Sequence, residues 1–368
     1  MRIIYLMHVS WFWAKQRPQF IAQHLSKENK ITVIYPQQFG KKEKGVGNLN
    51  PNLKIKYFRR IPGAYKIRLF GMVHDLMVAS QLWSDIRKTD VVWVTHPFLY
   101  RFLVFFNFSN NVKLVYDCMD DVLEFPDTVN NVSRRKSMLE LEKALVSKSK
   151  IVFSTSHYLS EKLKKRYGSD LNPKLVNNAI NIDSFTEKSH EELPEVIEKC
   201  FRDDCVNIVY VGTISSWLDL DLIRKSIGIQ DKLNYILVGP SEISLQNEER
   251  LNFPGPIKHE LVPALLKRAD VLTMPFILNE LILAVNPVKL YEYIYSNKPI
   301  VSVRYEETEQ FSPYVMLYKN EEEYLKIMQQ LVLGDFPVID VDCNQSFVKN
   351  NTWNKRVEII QECLIKEI

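Results

Sequence analysis

Short apolar runs alternate with stretches of helical period along this chain, and the alternation starts at its first residues. Residues 2–7 (Arg-Ile-Ile-Tyr-Leu-Met) read as a strand buried on both faces. A loop from His8 to Arg17 follows, then a helix opening at Pro18 with Phe20, Ile21 and Leu25 inward, then a strand at 31–35. Such a βαβ unit implies a parallel sheet covered by helices. Further strands are predicted at 91–95, 112–116, 151–154 and 174–177, and helices at 132–148 and 157–167. Beyond an acidic, proline-flanked stretch the alternation restarts. Strands are predicted at 207–211, 234–238, 270–274 and 300–303, and helices from about Asp219, at 260–268, from Pro287 to about Ser296 and at 321–333. A last helix begins at Thr352–Trp353. The pattern predicts two doubly wound α/β domains: 1–186, a linker at 187–206, and 207–350. A final helix, 351–368, is free to pack back on the N-terminal domain.

Candidate chemistry concentrates where strands end. Residues 285–303 (Val-Asn-Pro-Val-Lys-Leu-Tyr-Glu-Tyr-Ile-Tyr-Ser-Asn-Lys-Pro-Ile-Val-Ser-Val) read as a helix start, a helix stop and a strand. Asn286 suits the N-cap and Pro287 the first helical position. Helix N-termini offer free N–H groups and partial positive charge to a phosphate. Lys289 adds a full charge there, and Glu292, three residues on, shares its face. A diphosphate at Lys289 and ribose hydroxyls at Glu292 would suit a sugar nucleotide; a surface Lys/Glu pair is the plainer alternative. In the N-terminal half, His8, Trp11, Trp13, Gln16 and Arg17 follow the first strand, His96-Pro97 follows another, and Asp117-Cys118-Met119-Asp120-Asp121 closes a third. Three carboxylates at one strand end need cations or a raised pKa. Asp117 or Asp120 could orient or deprotonate an acceptor hydroxyl. Asp219-Leu220-Asp221 opens a helix and reads as a cap rather than a manganese site.

Composition narrows the class. With 46% hydrophobic and 25% charged residues the chain is ordinary for a globular protein. Its longest apolar stretch, Val91 to Phe108, is broken by His96 and Arg101, so no membrane span is expected. The start shows no cleavable signal pattern, and the 5 cysteines lack metal-site spacing; a reducing cytoplasm is expected. Residues 1–186 hold 29 Lys and Arg against 15 Asp and Glu, the remainder 19 against 29, so the basic half should attract an anionic partner. Cations interleaved with apolar residues over 54–73 could rest on an anionic membrane face. No nucleic-acid module is present, no Gly-x-Gly-x-x-Gly follows a strand (Gly45-Val46-Gly47 precedes none), and there is no Walker A motif.

Several motifs in order resemble one family: Gln16-Arg17-Pro18-Gln19, Tyr116-Asp117-Cys118-Met119-Asp120-Asp121, Ser154-Thr155-Ser156, Asn178-Ala179-Ile180-Asn181, Val211-Gly212-Thr213-Ile214 and Asn286-Pro287-Val288-Lys289-Leu290-Tyr291-Glu292-Tyr293. Together they resemble the GT4-type bacterial glycosyltransferases of the teichuronic-acid and cell-surface-polysaccharide branch. The resemblance implies a GT-B fold, two Rossmann-like domains facing across a cleft. It implies retaining transfer from a nucleotide-sugar, UDP-linked, to a lipid-linked or polymeric saccharide, without metal or other cofactor, at the inner face of the membrane. Donor contacts would fall to Gly212, Thr213, Ile257, Lys258, Asn286, Pro287, Val288, Lys289 and Glu292, and acceptor contacts to His8, Gln16, Arg17 and His96. Catalysis would fall to Asp117, Asp120, Lys289 and Glu292. Ala284 stands where the family's first E-x7-E glutamate is expected, with Glu280 a substitute. A UDP-sugar 2-epimerase and a non-catalytic nucleotide-sugar-binding subunit share these features.

Overall fold

The computed structural model describes residues 1–12, 15–38, 50–106, 108, 112–186 and 192–368; Trp13 and the glycines at 45 and 47 lie outside them. The chain forms two compact units, Met1–Asn178 with Trp353–Ile368, and Ala179–Thr352.

The first unit holds strands β1 (Arg2–Leu6), β2 (Lys30–Gln38), β3 (Leu53–Arg60), β4 (Val91–Val94), β5 (Lys113–Cys118), β6 (Ile151–Ser154) and β7 (Lys174–Leu175). They make one parallel sheet in the order β3-β2-β1-β4-β5-β6-β7. The central strands β1 and β4 are apolar on both faces because helices cover both. β3 falls in the basic stretch 54–73. It is an edge strand, and cations at Lys54, Lys56, Arg59 and Arg60 beside buried Leu53 and Phe58 are how such an edge stays unpaired.

The second unit holds β8 (Val206–Val211), β9 (Leu233–Val238), β10 (Leu251–Gly255), β11 (Val271–Met274), β12 (Ile300–Val303) and β13 (Met316–Tyr318), parallel in the order β10-β9-β8-β11-β12-β13. Of the expected linker at 187–206, residues 187–191 lie outside the described residues, and 192–206 are not a free connection. Ile180, Phe185 and Ile197 are buried in the core of this unit, Asn207 accepts from the Arg202 N–H, and Asn234 donates to the Cys200 carbonyl, so the boundary falls at Asn178/Ala179. The helix Trp353–Glu367 belongs to the first unit: Trp353 stacks on Phe20 at 5.3 Å, and Arg356 donates to the carbonyls of Asn177 and Asn178.

Candidate active site

In the second sheet the strand order reverses between β8 and β11, and ligands of open parallel sheets bind beyond the carboxyl ends of strands at such a reversal. Gly212–Thr213 follows β8. The segment after β11 runs into the helix Val288–Tyr295, which buries Leu290, Tyr291, Tyr293 and Ile294. Its N-cap is Pro287, not the expected Asn286, and no side chain caps it. Asn286 is buried one position earlier, donating to Glu307 and accepting from the Tyr291 hydroxyl at 3.2 Å. A buried amide satisfies its own hydrogen bonds before it can serve a terminus.

The Lys289 stem lies over Gly212: a Cβ there would sit 2.1 Å from Lys289 Cε and 2.7 Å from Nζ. Gly212 has φ +153°, and Gly239, which ends the neighbouring strand β9, has φ +155°. A Cβ on Gly239 would come within 2.0 Å of the Gly212 carbonyl oxygen, so both positions need glycine for close approach. The ammonium is 5.7 Å from the Tyr210 ring centroid and has no hydrogen-bond partner among the described residues. Burial pulls its pKa down and Glu292 partly restores it. Glu292 is half-buried, and its Oε1 lies 3.9 Å from His259 Nε2, so the segment carrying Ile257 and Lys258 is brought to the carboxylate. His259 and Tyr210 carried no signal in the sequence. Glu280 is exposed in a short helix capped by Asn279, and Ala284 is buried. Asp219 caps its helix, accepting from the Leu222 N–H at 2.9 Å.

In the first sheet the order reverses between β1 and β4, and His8 and His96 follow those strands with ring centroids 5.0 Å apart. His8 Nδ1 meets Thr95 Oγ1 at 3.0 Å, and His96 Nδ1 accepts from the Phe98 N–H at 3.1 Å. The proton of neutral His96 therefore belongs on Nε2. Burial lowers both pKa values, that of His8 to about 4. Asp120 is half-buried, and burial pushes its carboxyl up to about 6, Arg17 opposing and Asp117 and Asp121 adding to the rise.

Two expected site residues turn inward. Arg17 is buried, donating through Nη2 to Asp117 Oδ1 at 2.8 Å, through Nε to both Asp117 oxygens, and through Nη1 to the Val176 carbonyl at 2.7 Å. Asp117 is wholly enclosed. Each is the other's counter-ion, because a charge held out of water needs a partner, and neither is placed to meet an acceptor. Gln16 is exposed, its N–H donating to Gln19 in a capping box. Asp121 takes Arg166 and Lys162, which more than offset its burial and anchor the loop carrying Asp120. Among the described residues, no group of three or more His, Cys, Asp or Glu is arranged to hold a metal ion.

No family profile matches the chain. Over 218 residues it is 23% identical to TuaH of Bacillus subtilis (strain 168), provisionally named a teichuronic acid biosynthesis glycosyltransferase. That match takes in 56% of this chain and 54% of TuaH, so the chain spans about half the length of this curated relative. Among solved structures it is similar to sucrose-phosphate synthase of Thermosynechococcus elongatus, with a TM-score of 0.70 and 12% identity over 99% of this chain and 98% of that one. It is similar also to Alr3699/HepE of Anabaena in complex with UDP-glucose, with a TM-score of 0.67 and 13% identity over the whole of both chains. At such identities the likeness speaks for architecture, and the architecture, two helix-covered parallel-sheet domains, is the GT-B fold.

Proposed function

We propose that this chain is a glycosyltransferase that moves a sugar, with retention, from a UDP-linked donor to a hydroxyl of a lipid-linked saccharide in cell-surface polysaccharide synthesis. One observation carries the reading: an unpartnered, half-buried ammonium, Lys289, lies over a glycine turn at the reversal point of a parallel sheet, beside an uncapped helix start. Such a place favours a diphosphate, and the likeness to a UDP-glucose complex and to TuaH points the same way. When the C1–O bond to the diphosphate breaks, the leaving oxygen gains charge, and Lys289 with the helix N–H groups stabilises it there without a metal. The acceptor oxygen bonds to C1 as the C1–O bond to the diphosphate breaks, and its proton passes to the departing diphosphate oxygen. Glu292 takes the ribose hydroxyls, and His8 and His96 line the acceptor site as neutral groups.

A thermal-shift titration with UDP tests the donor site, because a ligand of the folded form raises stability by mass action. UDP should raise the melting temperature of the wild type and not of Lys289→Ala, and transfer by the variant should fall by about 10²-fold or more. EDTA should leave transfer intact. Buried Ala284 favours a second reading, a nucleotide-sugar-binding protein without turnover; it predicts the UDP shift with no transfer to any acceptor.

A further inference from the structure

The helix Arg68–Ile86 of the first unit is apolar on the wrong side as well as the right one. Inward it buries His74, Val78, Ala79, Leu82 and Ile86. Outward, Leu69, Met72, Val73 and Leu76 are 57–67% exposed, at a spacing that sets them in one stripe; Trp83, 48% exposed, lies beyond Ser80 and packs on Phe106 at 5.2 Å. Surface helices normally turn polar residues outward, and a continuous exposed apolar stripe marks a contact surface. Ile67 and Phe70 widen it. Arg59 near the carboxyl end of β3 and Lys66 just before the helix are exposed without an ion pair among the described residues, whereas Lys56 is taken up by Asp85 at 2.7 Å.

The stripe's place is set by the sheet. The helix starts just beyond the carboxyl end of β3, and in a parallel sheet that is the edge that also bears His8 and His96. The link is direct: the Tyr65 ring packs on Phe98 at 5.7 Å, and the Phe98 N–H donates to His96. The unit carries 32 Lys and Arg against 17 Asp and Glu, complementary to an anionic surface. Among the described residues no helix is long and apolar enough to cross a membrane.

We propose that the outward stripe of this helix, together with Arg59 and Lys66, seats the protein on an anionic lipid bilayer. The apolar side chains enter the acyl boundary and the cations lie among the headgroups, so that a lipid-borne saccharide arrives at the edge holding His8 and His96. This rests on the lipid-linked acceptor of the reading above, and it replaces the span 54–73 by one helix face.

Flotation of the full chain with vesicles tests it. The wild type should float with phosphatidylglycerol/phosphatidylethanolamine vesicles, less so as salt rises, and not with phosphatidylcholine alone. Leu69→Glu/Met72→Glu/Val73→Glu should lower that binding by about tenfold or more, with the calorimetric melting transition of the first unit intact as proof of folding. Arg59→Gln/Lys66→Gln should remove most of the salt-sensitive part. The proposal is overturned if the wild type does not float, if the triple variant floats equally well, or if the stripe proves to join two copies into a dimer that ignores vesicles. Flotation without any UDP shift would sustain the seat and remove the glycosyl-transfer reading.

Discussion

Arg17 and Lys289 look alike in the sequence, each a cation just after an apolar run, and the structure gives them opposite employment. Arg17 is buried and fully paired, so its loss leaves Asp117 as an enclosed, unpaired charge. Arg17→Ala should destabilise the first unit by roughly 3–5 kcal/mol in urea unfolding, the usual effect of breaking a buried pair from one side. Lys289 has no ion pair among the described residues, its pKa lowered by burial and only partly restored by Glu292. Lys289→Met should therefore keep or slightly raise stability while abolishing the UDP shift, the trade expected of a site residue. Gly239→Ala separates backbone approach from charge: its methyl would fall on the Gly212 carbonyl. A loss of about 3 kcal/mol or more in unfolding free energy is expected, with UDP affinity reduced in whatever folds. The two histidines have a pH signature. Both are neutral in the fold, with pKa values below the ordinary 6.5, so their contribution is complete above about pH 6.5. It is lost as pH falls toward 4, the value to which His8 is lowered. Unfolding midpoints measured from pH 7.5 to 5 should fall, and His8→Asn should flatten the slope.

Elements show where local rules hold and where packing overrides them. The helices 132–148 and 157–167 and the strands 151–154 and 300–303 stand where periodicity places them, because caps at Asn131 and Ser156 and uninterrupted apolar runs leave one solution. At the helix Val288–Tyr295 the N-cap rule names Asn286, yet a buried pairing with Glu307 and Tyr291 claims that side chain. The consequence suits the proposed site: among the described residues no side chain caps the first N–H groups. The C-terminal helix is structural for a distant part of the chain. It buries Trp353, Val357, Ile360 and Leu364 in the first unit. Removing residues 353–368 withdraws roughly 6–12 kcal/mol of apolar burial, comparable to a whole domain's stability. The truncated chain should lose the cooperative melting of its first unit, as read by calorimetry, with the UDP response of the other unit retained.

Each unit of the whole molecule has its own sheet and core, so calorimetry should resolve two transitions. UDP should raise only the one belonging to Ala179–Thr352, because Lys289, Gly212 and Glu292 all lie there. A shift of the other transition alone would place the nucleotide in the wrong unit. The charge asymmetry of the sequence becomes a property of bodies at this scale, and the basic unit is also the one with the apolar outward stripe.

By itself the sequence determined the alternation of strand and helix, the doubly wound class, the split into two domains, and the lysine and glutamate sharing one helix face. These depend on neighbours a few residues apart, where period and capping decide. It concealed β3 and the helix Arg68–Ile86, which it read only as a basic stretch, and β10 and β13, the first carrying Pro254 and the second spanning Met316–Tyr318, too short to show a period. Only the tertiary structure decided which strands stand side by side, and hence where each sheet reverses; that ordering places His8 by His96 and Gly212 under Lys289. It alone also decided which charges are spent internally: Arg17 and Asp117 lie 100 residues apart, and nothing local foretells that two such distant groups must neutralise each other out of water.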